Sequence, residues 1–164
     1  MKNKKFYSCE DLQSSIYFGP NSLRHCCQRF FVNGKMEGDV EILKVKSNKD
    51  ISVEKIISAK KKIIRDLNNN KKTPCDGCPK IQLKEWEKLE EIKINKISIE
   101  AHSKCNARCS YCSEMFYGGL NPNYNLNDML EKFKHQNFFE KNVTDTWGGG
   151  EPVLLRNFKK IFEN

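Results

Sequence analysis

The sequence predicts an α/β protein in two parts, a small α+β segment rich in cysteine followed by alternating strands and helices. From residue 96 onward, apolar residues first alternate and then recur every three or four positions, giving the order strand, helix, strand, helix. Before that point the chain carries five of its eight cysteines. Strands that alternate with helices of this size predict parallel pairing, with functional loops at the carboxyl ends of the strands.

Composition excludes some classes of protein. The 164 residues include 29 Lys and Arg against 21 Asp and Glu, a net charge of +8. Apolar runs such as Phe30-Phe31-Val32 are too short to cross a bilayer, and the basic N-terminus lacks the apolar stretch of a secretory signal. We interpret the protein as cytoplasmic, with no membrane partner. The basic residues are interleaved with acidic ones on predicted helices, which favours solvated faces over nucleic-acid binding.

The first segment, residues 1–80, contains predicted strands at Ser15–Phe18 and Gln28–Val32. A helix follows, with apolar residues at helical spacing from Ile56 to Leu67, and it stops at Asn68-Asn69-Asn70. Residues 81–95 are amphipathic, and we expect a linker helix there, with Leu83, Trp86 and Leu89 as its apolar positions.

The second segment, residues 96–164, begins with a strand predicted by Ile97, Ile99 and Ala101. A helix with an apolar face from Leu126 to Phe133 follows, with Asn125 as its cap. Next come a strand at Val143–Trp147 and a helix from Leu154 to Phe162. A cysteine-rich loop follows the first strand and Gly148-Gly149-Gly150-Glu151-Pro152 follows the second. The two loops should therefore lie side by side.

The strongest motif is Cys105-Asn106-Ala107-Arg108-Cys109-Ser110-Tyr111-Cys112. Three thiolates within eight residues can hold three irons of a cubane iron–sulfur cluster, whose usual complement is four cysteines. The fourth iron is then open to a small molecule. Structural zinc is the alternative, with His102 as a fourth ligand, although zinc sites usually use paired C-x2-C units or Cys/His sets.

This spacing, with an aromatic residue before the last cysteine and a GGE stretch after the next strand, resembles the start of a radical S-adenosylmethionine (radical SAM) enzyme. The resemblance covers residues 97–164. It implies that Cys105, Cys109 and Cys112 ligate a [4Fe-4S] cluster whose open iron is chelated by the methionine moiety of S-adenosylmethionine (SAM). It also implies that Tyr111 lies near adenine and that Gly149, Gly150 and Glu151 receive the SAM amino group.

The other cysteines predict a second metal centre. Cys75 and Cys78 form a C-x2-C turn, and Cys9 with either Cys26 or Cys27 would complete four ligands. The segment from Ile16 to Pro79 resembles the auxiliary-cluster domains called SPASM or Twitch, which in the family usually follow the barrel. An iron–sulfur cluster, structural zinc and incidental thiols all remain open here. We interpret His25 and His135 as surface or core residues.

The resemblance implies reductive cleavage of SAM to a 5′-deoxyadenosyl radical, with an electron donor as a further partner. Auxiliary-cluster domains suggest a peptide substrate, and sugars or small metabolites remain open. Two βα units supply only the first part of an incomplete (β/α)6 partial barrel. We therefore expect a fragment, a truncated gene product or half of a split protein, inactive alone. The alternative function is a non-enzymatic zinc-binding interaction module.

Overall fold

The computed structural model describes residues 5–26, 30–86, 93–107, 109–111 and 119–163, which form a mixed α/β structure. The strands in these ranges are β1 (Lys5–Ser8), β2 (Ser15–Phe18), β3 (Ser22–Arg24), β4 (Phe30–Val32), β5 (Lys35–Glu37), β6 (Glu41–Lys44), β7 (Gln82–Glu85), β8 (Ile94–Ile99) and β9 (Phe139–Trp147). The α-helices are α1 (Glu10–Ser14), α2 (Val53–Asn68), α3 (Leu126–His135) and α4 (Phe158–Phe162). Within these ranges, no helix has the length and apolar character that crossing a membrane requires.

The main sheet has five strands in the order β6-β3-β2-β8-β9. β8 lies parallel to both β2 and β9, whereas β3 is antiparallel to β2 and to β6. Helix α3 connects β8 to β9, so the predicted βαβ order with parallel strands is confirmed. Because β8 and β9 are parallel, their carboxyl ends meet at the same edge of the sheet. Over the described residues the sheet does not close into a barrel.

One hydrophobic core joins the two predicted segments. Ile16 and Phe18 of β2 pair in register with Ile97 and Ile99 of β8, and all four side chains are buried. Phe133 of α3 packs over them and contacts several aromatic rings. β2 belongs to residues 1–80, whereas β8 begins at Ile94, inside the predicted linker, and continues into residues 96–164. The two segments therefore share a sheet and a core.

The predicted helices begin where their caps are. Ser52 precedes α2 and its side chain accepts a hydrogen bond from the Lys55 N–H. Asn125 caps α3 as predicted, since its side chain accepts from the Asp128 N–H at 3.3 Å. The last helix is shorter than predicted. A 3-10 turn at Pro152–Leu154 is separated from α4 by Asn157, whose left-handed φ of 66° interrupts helical geometry.

The helix predicted over residues 81–95 is wrong where the structure describes it. Gln82–Glu85 form β7, which pairs antiparallel with β1 at the start of the chain. Leu83 is exposed on this ribbon and Trp86 is buried. A partner strand almost eighty positions away satisfies the backbone of these residues, which local periodicity cannot reveal. Residues 87–92, including Leu89, lie outside the described residues.

Candidate functional site

The cysteine loop and the glycine loop lie side by side at the carboxyl ends of β8 and β9, as predicted. The Gly148 N–H donates to the Ile99 carbonyl at 3.0 Å, which fixes the start of the glycine loop against the end of β8. The Glu151 N–H donates to the Lys104 carbonyl at 2.8 Å. Lys104 directly precedes Cys105, so backbone hydrogen bonds tie the GGE stretch to the start of the cysteine motif.

The glycines make this close approach possible. Gly149 has a φ of +84°, and a Cβ there would lie 2.6 Å from the Cβ of Glu100. A Cβ on Gly150 would overlap the Lys104 carbonyl oxygen. Both positions therefore exclude a side chain, because Gly149 packs against the Glu100 side chain and Gly150 packs against the backbone of Ser103 and Lys104. The predicted contact of these glycines with SAM remains a prediction.

The cysteines of the motif are accessible on this loop. Cys105 is half-buried and its thiol donates to the Ala107 carbonyl at 3.3 Å, and Cys109 is also half-buried. Tyr111 is 90% exposed. Cys112 lies outside the described residues, so the arrangement of the complete triad remains a prediction. Half-buried thiols at a sheet edge suit a cluster with one iron open to a ligand.

His102 is a buried polar residue beneath this loop. It is 3% exposed, and its Nδ1 accepts a hydrogen bond from the Lys104 N–H at 3.2 Å. Burial lowers its pKa, and the charge of Lys104 lowers it further. The imidazole is therefore neutral, with its proton on Nε2, which is buried without a partner among the described residues. A cavity of about 700 Å³ adjoins His102 and extends to Arg156.

The second candidate site is formed by Cys9, Cys26, Cys75 and Cys78, which we call the N-terminal thiol cluster. Cys9 caps α1, and its Sγ accepts the Leu12 N–H at 3.3 Å. Cys75 and Cys78 lie in a tight turn closed by a hydrogen bond from the Cys78 N–H to the Cys75 carbonyl at 3.0 Å. Cys9 and Cys75 are buried.

These four thiols interact with one another electrostatically. Burial raises the pKa of Cys9 to about 11, and the charges of Cys26 and Cys78 shift it in the same direction. Burial raises the pKa of Cys75 to about 12, and Cys26, Cys9 and Cys78 all add to the shift. The fold thus gathers cysteines from three separate stretches of chain. Their mutual repulsion as thiolates is the kind that a bound cation relieves.

The alternative ligand Cys27 lies outside the described residues. Among the residues that are described, no group of three or more His, Cys, Asp and Glu side chains is already arranged to hold a metal ion. The donor chemistry of the N-terminal thiol cluster nonetheless fits a thiophilic metal, since four thiolates are the ligand set of structural zinc and of iron–sulfur clusters.

Two buried residues near this cluster have environments that sequence reasoning did not identify. Lys60 is 2% exposed, although it belongs to a Lys60-Lys61-Lys62 run that we interpreted as a solvated face. Its spacing of four from Ile56 places it on the apolar face of α2, a signal that was available. His25, beside Cys26, is buried with both ring nitrogens unpartnered among the described residues, and burial lowers its pKa to about 3.

Comparison of the chain with family models, with curated proteins and with solved structures gives no match in any of the three.

Proposed function

We propose that the chain is part of a radical SAM protein, in which β8–α3 and β9–α4 are the first two units of a partial (β/α)6 barrel. One observation carries the proposal: the Glu151 N–H is hydrogen-bonded to the Lys104 carbonyl. This bond joins a C-x3-C-x2-C motif to a GGE stretch at the carboxyl edge of two parallel strands. That edge is where α/β proteins usually build ligand sites.

The residues of this edge have distinct roles in the proposal. Cys105, Cys109 and Cys112 hold a [4Fe-4S] cluster, and Gly149 and Gly150 belong to the stretch that receives the SAM amino group. The Glu151 carboxylate, half-buried at the loop, offsets the positive charge of that group. When bound, the cluster supplies the electron that cleaves SAM to a 5′-deoxyadenosyl radical. Tyr111, which is exposed, occupies the aromatic position whose backbone lies near adenine in the family.

We also propose a second metal centre at the N-terminal thiol cluster, with an iron–sulfur cluster as its occupant. Its support is the electrostatic interaction among Cys9, Cys26, Cys75 and Cys78, which the fold gathers from three stretches of chain. A peptide is the proposed substrate class, and an external electron donor is required. Because the described sheet is open, we expect the chain alone to bind SAM without sustained turnover.

Anaerobic reconstitution with iron and sulfide tests both centres. Wild-type protein should bind two clusters, and the variant with Ala at Cys105, Cys109 and Cys112 should lose one of them. Ser110→Ala, in the same loop, is the matched control and should keep both. Iron content that the triple replacement leaves unchanged would show that the radical SAM proposal is wrong.

A second set of replacements identifies the ligands of the N-terminal centre. Cys26→Ala and Cys27→Ala are matched variants of neighbouring thiols, and the proposal expects only Cys26→Ala to lose the second cluster. If only Cys27→Ala loses that cluster, the ligand is Cys27 and not Cys26. If Cys75→Ala and the wild type bind the same number of clusters, the proposed second metal centre is wrong.

The alternative function is a zinc-binding interaction module without catalysis. The observation that favours it is the burial of Cys9 and Cys75 within the shared fold, as expected of a structural zinc site. Zinc retained stoichiometrically through aerobic purification, with no colour after anaerobic reconstitution, would support this alternative over the iron–sulfur proposal.

A further inference from the structure

Lys60 is a buried ammonium group that uses all three of its donors on backbone carbonyls. Its Nζ donates to the carbonyl oxygens of Ser15 at 2.8 Å, Leu12 at 2.9 Å and Asp11 at 3.3 Å. These carbonyls lie in and just after α1. Lys60 therefore holds the carboxyl end of α1 while Cys9 caps the amino end.

The positive charge of Lys60 has no carboxylate partner among the described residues. The nearest candidate, Asp11, accepts instead from the Ser15 hydroxyl at 3.0 Å and pairs with Lys96 at 3.4 Å. Buried charges in proteins are normally paired or lie beside a charged centre, because an isolated one is costly to desolvate. The three carbonyls satisfy the donors of Lys60 but carry no formal charge to balance its protonated form.

The N-terminal thiol cluster is a source of negative charge near Lys60 when its cysteines are thiolates. Cys9 and Cys26 act electrostatically on Lys60, as does Asp11. Asp11 and Leu12, whose carbonyls bind Lys60, follow Cys9 by two and three residues, so they lie within about 5 Å of the cap along the helix axis. When the cysteines are protonated, the negative charge that acts on Lys60 is that of Asp11. The region becomes strongly negative when the cysteines are ligands, because a metal binds thiolates.

We propose that Lys60 is the internal countercharge of an anionic metal–thiolate centre at the N-terminal thiol cluster. The inference rests on the proposed second metal centre and specifies its charge. Four thiolates around a divalent cation, or around a [4Fe-4S]2+ core, carry a net charge of about −2. Such a centre in a protein interior is stabilised by a cation fixed nearby. Lys60 is thus a positioning residue and not a ligand.

The alternative role for Lys60 is only to hold α1 through hydrogen bonds, and replacements that keep or remove its charge distinguish the two roles. A neutral amide can donate hydrogen bonds to the same carbonyls, so Lys60→Gln keeps part of the clamp and removes the charge. Lys60→Arg keeps the charge. Lys72→Met is the matched control, because it removes an equal charge from an exposed position.

The experiment uses the full chain with Cys105, Cys109 and Cys112 replaced by Ser, so that only the N-terminal centre binds metal. Co2+ alone is the probe, because its thiolate absorption reports ligation, and its affinity is measured by chelator competition. We expect Lys60→Gln to weaken Co2+ binding by about tenfold or more, the range found when groups that support metal ligands are removed. Lys60→Arg and Lys72→Met should bind like the parent protein.

The protein with a reconstituted iron–sulfur cluster provides a second measurement, the reduction potential. A Lys60 that only stabilised α1 would leave this potential unchanged. After reconstitution, the reduction potential of the N-terminal cluster should become more negative in Lys60→Gln and stay unchanged in Lys72→Met. Removing a nearby positive charge disfavours adding an electron.

Two outcomes would overturn the inference while the metal centre stands. The first is a folded Lys60→Gln protein with parental Co2+ affinity and potential. The second is failure of both Lys60→Gln and Lys60→Met to fold without metal, since a countercharge is required only when the centre is occupied. Absence of thiolate–Co2+ absorption in the parent protein would instead refute the proposed centre.

Discussion

Replacing Gly149 with alanine tests whether contact between the two loops depends on a missing side chain. Two costs add at this position. A residue other than glycine at a φ of +84° loses about 1 kcal/mol. The new Cβ would also lie 2.6 Å from the Glu100 Cβ, and real Cβ contacts are essentially never shorter than 3.0 Å, so the backbone must shift. Forcing an extra methyl group into a packed site costs a further ~1–3 kcal/mol. The sum is about 3 kcal/mol.

Gly34 is the matched control, because its φ of +77° is similar and a Cβ there would meet nothing within 4 Å. Gly34→Ala should therefore lose only the conformational cost, about 1 kcal/mol. Urea denaturation of the metal-free protein measures both free energies of unfolding, and amide exchange at Gly148 reports whether the loop has separated from Ile99. If the two variants differ by less than about 0.5 kcal/mol, close loop contact is not the reason for glycine at Gly149.

Three further predictions concern buried charge, thiol access and helix capping. Burial lowers the pKa of Lys60 to about 7 from 10.5, so the unfolded state binds more protons between these pH values and stability rises with pH there. From pH 7 to 9 the unfolding free energy of metal-free protein should rise by ~2–3 kcal/mol. If the unfolding free energy of Lys60→Met rises equally over this pH range, Lys60 is not the cause. In native metal-free protein, alkylation should be slower at Cys75 than at half-buried Cys105, because Cys75 is buried and its pKa is raised to about 12. Mass spectrometry at pH 8 measures both alkylation rates, and equal rates would contradict the burial of Cys75. Asn125→Ala should lose about 1 kcal/mol of stability in thermal or urea unfolding, and Asn125→Ser should lose little. Equal stability of these two Asn125 variants would show that the cap contributes nothing.

Local sequence predicted the elements whose signals are local. Ser15–Phe18 and the helix ending at Asn68 follow from residue type and spacing, and the structure has them as β2 and α2. The same holds for Asn125, because capping depends on residues within one turn. The adjacency of the two loops followed from one further rule, that parallel strands place their carboxyl ends together.

Other features depend on contacts that spacing does not encode. Gln82–Glu85 were predicted as helix and form β7, because β1 supplies a distant pairing partner. Lys60 was interpreted as solvated, although α2 turns it inward onto the carbonyls of α1. In both cases tertiary partners outweigh local propensity.

The sequence by itself determined which candidate ligands this protein carries: three thiols in one loop, a GGE stretch one strand later, and five further cysteines upstream. Thiol content and spacing are covalent properties, so they can be read without a fold. Only the tertiary structure decided that β2 and β8 lie side by side in one sheet, which puts both cysteine-rich regions on a common core. It also decided that Cys9 and Cys26 act electrostatically on a buried Lys60. These relations arise when the chain buries its apolar faces together, and residues far apart in sequence then become neighbours.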